Sequence, residues 1–216
     1  GDTYLSKFNS IKPHSEKSKI LLLPTYNKFN DCSLTILNRS LKKKYNPFSN
    51  LNYLFYKSLN NDKKQQTIIK LFPSKASSRV EKIWRRKFGN NLRIHSESNE
   101  NSYDFYKKSL IIILDDVSTP IYETMYLNIP SILILEDLNE FKQDFQKKIK
   151  KLSKLNFYFT NPKLAASFIN KNINNIDDWW NYISKDKDFI NFKKELFIKK
   201  KDNQDEKIIN ILLKKN

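Results

Sequence analysis

Leu110-Ile111-Ile112-Ile113-Leu114-Asp115-Asp116-Val117-Ser118-Thr119-Pro120-Ile121-Tyr122-Glu123 is the stretch whose reading decides the fold. It opens with five consecutive apolar residues, Leu110 to Leu114, too few for an ordinary helix and without the alternation of a half-solvated strand. A continuous apolar strand is one covered on both faces, as in a parallel sheet. A polar turn follows, and Pro120 fits the first helical position, which makes Thr119 the expected N-cap. Free backbone N–H groups, two hydroxyls (Ser118 and Thr119) and the positive end of a helix dipole then meet in one place, which suits a phosphate. Glu123 lies one residue too far from Thr119 for a capping box. A carboxylate one turn into this helix is placed to accept hydrogen bonds from ribose hydroxyls, or simply to complement the dipole. The residues alone leave both readings open.

Outward from this unit the same pattern recurs. Lys19 to Leu23, ended by Pro24, reads as a first buried strand. Thr67 to Phe72 reads as a second, stopped by Pro73, Asn91 to His95 as a third, Ser131 to Leu135 as a fifth and Phe157 to Phe159 as a sixth. Helical segments lie between them: Leu51 to Leu59, a helix to about Phe88 opened by the capping-box spacing Ser78-Arg79-Val80-Glu81, Tyr103 to Lys108, Thr119 to Leu127 and Glu140 to Leu155. Pro162 to Ile169 and Asp177 to Phe197 close the series. Strand and helix alternate, so the expected fold is α/β: a Rossmann-like parallel sheet of about six strands, helices on both faces and C-terminal helices beyond. The right-handed crossover rule favours the strand order 3-2-1-4-5-6, with Leu110 to Leu114 central and fully buried.

The expected organisation is a linker or crossover over 1–18, a nucleotide-binding domain over 19–175, a C-terminal helix over 176–198 and a charged helical or frayed tail over 199–216. Cys32 to Asn50, polar and basic, reads as a long loop. The chain opens on Gly1 rather than Met, so it is expected to be a fragment of something longer.

The 216 residues are 39% hydrophobic and 13% aromatic, enough apolar material for one α/β domain. No apolar run approaches the ~20 residues of a membrane span. The single cysteine, Cys32, excludes an internal disulfide framework, and His14 and His95, the only histidines, make a poor basis for a metal centre. The net charge of +17 points first to nucleic acid. Lysine and asparagine are abundant throughout while glycine numbers two, however, and this reads mainly as AT-rich coding. The remainder of the charge is read as a surface for anionic ligands or a membrane face.

Open parallel sheets bind ligands at the carboxyl ends of their strands. The candidate ligand-binding residues are therefore Thr25 and Tyr26 after the first strand, Lys70 in the second with Ser74 beyond it, His95 ending the third, and Ser118, Thr119 and Glu123 after the fourth. His95 also fits as a structural histidine. Asp115-Asp116 lacks the spacing of an Asp-x-Asp metal motif and reads as loop-fixing. No metal site is expected, and no catalytic residue can be assigned. Gly-x-Gly-x-x-Gly and Gly-x-x-x-x-Gly-Lys-Ser/Thr are both missing, which argues against dinucleotide oxidoreductases and P-loop enzymes. Trp179-Trp180 reads as packing of a C-terminal helix, with sugar stacking as the alternative.

Lys70-Leu71-Phe72-Pro73, Asp116-Val117-Ser118-Thr119 with Glu123, and Asn128-Ile129-Pro130-Ser131-Ile132 together resemble the C-terminal half of bacterial GT-B transferases of surface polysaccharides. Relatives in that resemblance are surface-carbohydrate transferases, Kdo transferases and teichoic-acid glycerophosphotransferases. The resemblance implies one half of a GT-B fold. It also implies that the Lys70 element and the Ser118–Glu123 element bind the phosphates and ribose of a cytidine- or uridine-linked sugar donor, with no separate cofactor. Phe72 stands where the family's Lys-x-His-Pro-like element has a histidine. A glycan or lipid-linked acceptor, a cytoplasmic location and peripheral contact with the inner membrane face are further implications. The competing readings are a basic nucleic-acid-binding protein and a non-catalytic carbohydrate-binding or regulatory domain that kept the fold.

Overall fold

The computed structural model describes residues 19–25, 50–72, 77–96, 102–139 and 141–197. Among these residues six strands form one sheet: β1 (Lys19–Leu23), β2 (Thr67–Lys70), β3 (Arg93–His95), β4 (Ser109–Leu114), β5 (Ser131–Ile134) and β6 (Tyr158–Phe159). Their order is β3-β2-β1-β4-β5-β6 and every neighbouring pair is parallel, as the run pattern predicts. β1 and β4 are the two central strands, in register from Ile20 opposite Ile111 to Leu23 opposite Leu114. The expected full burial of Leu110 to Leu114 fails at one position: Leu110 is half-buried at the strand's start while Ile111 to Leu114 are buried.

Helices α1 (Asn50–Ser58), α2 (Asn61–Gln66), α3 (Ser77–Phe88), α4 (Ser102–Lys107), α5 (Thr119–Tyr126), α6 (Gln143–Lys151), α7 (Pro162–Asn172), α8 (Ile176–Ile183) and α9 (Lys187–Phe197) surround the sheet. The two sheet faces carry separate cores. On one, Phe55 of α1, Trp84 of α3 and Ala165, Ala166 and Ile169 of α7 pack on Ile20, Leu22, Ile111 and Ile113. On the other, Tyr106, Ile121, Met125, Ile149, Trp180, Phe189 and Phe192, from α4, α5, α6, α8 and α9, pack on Leu21, Ile112 and Leu114. Odd and even residues of one apolar strand thus feed opposite cores, which is why the strands cannot alternate with polar residues.

Several expected boundaries shift. The polar helix α2, six residues long, carries no apolar period and escapes a reading based on periodicity. β2 ends at Lys70, and Phe72 is exposed. β3 begins at Arg93 because Gly89, at φ +93°, ends α3, and Arg85 Nη1 holds the intervening turn by donating to the Asn90 and Leu92 carbonyls. The capping box at Ser78 does not form. α3 starts at Ser77, and Glu81 is taken by Arg85 at 2.7 Å and by the Ser96 hydroxyl. The long helix expected over 140–155 is α6 followed by a 3-10 turn, Leu152–Leu155, that ends on Asn156 in the left-handed region at φ 57°. The single C-terminal helix is two, because Asp186 Oδ1 accepts from the Asp188 and Phe189 amides and starts α9 afresh. The proposed linker over 1–18, the long loop from Cys32, His14 and the tail over 199–216 lie outside the described residues.

Candidate functional site

The sheet order reverses between β1 and β4, and the crevice outside their carboxyl ends is where an open parallel sheet receives ligands. Asp115, the first residue past β4, ties this crevice together. Its Oδ1 accepts a 2.8 Å hydrogen bond from the Thr25 amide after β1, and its Oδ2 accepts from Asn52 Nδ2 of α1. Burial pushes the Asp115 carboxyl up to about 6, against the opposing pull of the hydrogen bonds from Thr25 and Asn52, with a smaller upward push from Asp116. Asp115 is thus a loop-fixing residue, as its strand-end position suggests. Asn52 is buried, and among the described residues its Oδ1 has no hydrogen-bond partner.

Asp116 Oδ1 accepts from the Val117 amide at 2.7 Å and turns the chain into α5. The cap is one residue earlier than expected. Ser118 is the N-cap, with extended φ −124° and ψ −171°, and its carbonyl accepts from the Ile121 amide at 3.0 Å. Thr119 is then the first helical residue and exposed, and Pro120 occupies the second position, where a missing N–H is also harmless. The Ser118 side chain makes no cap hydrogen bond, so both hydroxyls of the turn are left out of capping.

Glu123 is buried, and its Oε2 accepts a 2.7 Å hydrogen bond from the Tyr106 hydroxyl of α4. The residue before Tyr106 organises the other candidates. The Lys70 Nζ lies 5.2 Å from the Phe105 ring centroid, and the His95 ring meets the same ring edge-on at 4.9 Å. Lys70 and His95 are themselves register partners in β2 and β3. Lys70 is buried, an unusual place for an ammonium group, and His95 is half-buried. The structure therefore brings Lys70 and His95 together on Phe105 and joins Glu123 to the neighbouring Tyr106, while Thr25 stands with Asp115 and Asn52. Tyr26 and Ser74 lie outside the described residues.

Asn52 and Tyr106 are the participants the sequence did not reveal. Each sits in a helical segment among apolar neighbours, and neither follows a strand. Trp179 and Trp180 are committed to packing. Trp179 Nε1 donates to the Leu155 carbonyl at 2.9 Å, and Trp180 is buried against Phe189.

An all-parallel, doubly wound sheet with its polar residues gathered at the β1/β4 switch defines a Rossmann-like α/β domain. A family model described as LIC12162 family transferase matches residues 2–208, and the chain belongs to that family. Among solved structures it is similar to the wall teichoic acid polymerase TagF, at 16% identity and a TM-score of 0.39, over 91% of this chain and 48% of the other. The chain thus spans about half the length of that protein. No curated protein matches it. Among the described residues no helix is long and apolar enough to cross a membrane.

Proposed function

We propose that this transferase-family domain binds the nucleotide of an activated sugar at the β1/β4 crevice. It would serve as the donor half of a glycosyltransferase in bacterial surface polysaccharide or glycolipid synthesis. The observation that carries the reading is Ser118. It starts α5 at the topological switch of the sheet, and its hydroxyl is not consumed by the cap. A phosphate there accepts from the amides and hydroxyls of Ser118 and Thr119 and interacts with the helix dipole. Lys70 and His95, held on Phe105, supply positive and hydrogen-bonding character, and Thr25 borders the crevice from β1. Glu123 holds the ribose, whose hydroxyl shares or displaces the Tyr106 hydroxyl on the carboxylate. The base is cytosine or uracil, the acceptor is a glycan or a lipid-linked glycan, and the setting is the cytoplasm at the inner membrane face.

Calorimetric titration of the chain with cytidine and uridine mono- and diphosphates tests this. Binding of one of them is expected, with Glu123→Gln weakening it roughly 10- to 150-fold, the worth of a charge-assisted hydrogen bond. Equal binding by Glu123→Gln removes the ribose assignment. No binding by the wild-type chain removes the donor-site reading.

A further inference from the structure

Among the described residues β6 is an edge strand of the sheet and pairs with β5 alone. The Phe157 and Phe159 carbonyls turn towards β5, accepting from the Leu133 amide at 2.8 Å and the Leu135 amide at 3.0 Å. Backbone groups alternate in direction along a strand, so those of Tyr158 and Thr160 turn outward. Helix α7 walls one side of this edge, and the end of α6 with its 3-10 turn walls the other. The groove between them has a volume of about 620 Å³, within the usual range of small-ligand sites.

The chemistry of its lining is selective. Among the described residues it contains no acidic side chain. Lys150 and Lys171 stand on opposite walls, exposed and, among the described residues, without an ion-pair partner, whereas nearby Lys151 and Lys154 both pair with Asp188, at 3.7 and 2.9 Å. Between the two lysines lie hydroxyl and amide groups, some already half used. Asn161 Oδ1 accepts from the Lys163 amide and leaves its Nδ2 for a ligand. Asn172 Nδ2 donates to the Phe168 carbonyl and leaves its Oδ1. Phe159 and Phe168, with ring centroids 5.9 Å apart, give the groove an apolar side.

We infer that the β6 edge groove is a binding site for an acidic saccharide. Amides present a donor and an acceptor that match adjacent sugar hydroxyls, aromatic surface accepts the C–H face of a pyranose, and two ammonium groups with no carboxylate partner among the described residues call for negative charge. An acidic peptide adding a strand would satisfy the lysines too. β6, however, is only two residues long and offers too short a ladder, and the amide-rich walls would find no hydroxyls. The inference does not rest on the nucleotide reading at β4, because no residue is shared between the two sites.

The test is titration of the whole chain with a carboxylated probe, hyaluronan hexasaccharide, and a phosphorylated one, phosphopentamannose. Maltohexaose and hexaglutamate serve as the neutral and peptide comparisons. At least one acidic saccharide is expected to bind better than both comparisons. The variant Lys150→Glu/Lys171→Glu is expected to weaken that binding roughly ten-fold or more. Lys82→Glu/Lys108→Glu, an equal charge change at exposed positions elsewhere, should leave it within about two-fold because distant charges are screened. Ser167→Trp, which fills the groove, should abolish binding. If Ser167→Trp fails to fold, the exposed lysine pair decides alone. Equal losses in the two charge-reversal variants, hexaglutamate binding as tightly as the saccharides, or no saccharide binding up to millimolar concentration would each overturn the proposal.

Discussion

Tyr106 of α4 donates a 2.7 Å hydrogen bond to Glu123 of α5, joining the helices that precede and follow the central strand β4 in the chain. The neighbouring Phe105 carries Lys70 and His95 on its ring, so one short helix holds groups from β2, β3 and α5 in fixed relation. A ligand hydroxyl that competes for Glu123 therefore acts on a linkage that also supports the Lys70 side of the site.

Tyr106→Phe removes the hydroxyl and leaves the buried carboxylate with one donor fewer. The expected cost is about 1–3 kcal/mol of unfolding free energy. Glu123→Gln keeps a side-chain oxygen as acceptor for the Tyr106 hydroxyl and should cost less. Urea unfolding followed by circular dichroism measures both. An unchanged midpoint in Tyr106→Phe would show that the pair does not hold α4 to α5.

Asp115 gives the fold a pH dependence of definite sign. Its folded value, about 6, lies above the ordinary 3.8, so the folded state binds the proton more tightly than the unfolded chain does. The corresponding stability is fully present below about pH 4 and is lost as pH rises through about 6, by up to about 3 kcal/mol. In Asp115→Asn, which cannot titrate, this contribution disappears. Unfolding free energies of the two proteins across this range should therefore converge or cross, with the wild type losing ground as pH rises. A constant difference between the two curves would exclude Asp115 as the titrating group.

Strand order and direction were legible because the central strands are continuous apolar runs, and burial on both faces leaves few topologies open. Asp115 was legible as a loop-fixing residue from its place at a strand end. Its partner Asn52 was not, because nothing in Leu51-Asn52-Tyr53-Leu54 marks the amide as buried or turned towards a residue sixty-three positions away. Tyr106 was hidden in the same way inside an aromatic helix. The cap at Ser118 was misplaced by one residue because proline suits the second helical position about as well as the first, where no intrahelical N–H bond is lost. Local chemistry and periodicity reach as far as strand ends. Long-range side-chain pairs depend on the packed fold.

The charge of +17 makes nucleic acid the natural competitor for this surface. If that charge is mainly compositional, duplex DNA should bind weakly, without sequence preference, with affinity falling steeply as salt is raised. Fluorescence anisotropy with two unrelated duplexes over a salt series provides the measurement. Tight binding at physiological salt that discriminates between the duplexes would favour the nucleic-acid reading over the sugar-donor one.

Ser118 separates a structural role from a binding role. Loss of an N-cap side chain ordinarily costs about 1 kcal/mol because a hydrogen bond to an early helix amide disappears. Here the Ser118 side chain makes no such bond, so Ser118→Ala should change the unfolding free energy by less than about 0.5 kcal/mol. Thr119→Ala should be similarly mild, since Thr119 is the first helical residue rather than the cap. If the two hydroxyls face a phosphate, each substitution should still weaken nucleoside diphosphate binding roughly 10- to 150-fold, the worth of a hydrogen bond to a charged group. The effect should vanish with the unphosphorylated nucleoside, whose contacts end before the turn. Thermal or urea unfolding beside calorimetric titration reads both quantities on the same samples. A stability loss of about 1 kcal/mol or more with unchanged affinity would make Ser118 an ordinary cap and move the phosphate elsewhere.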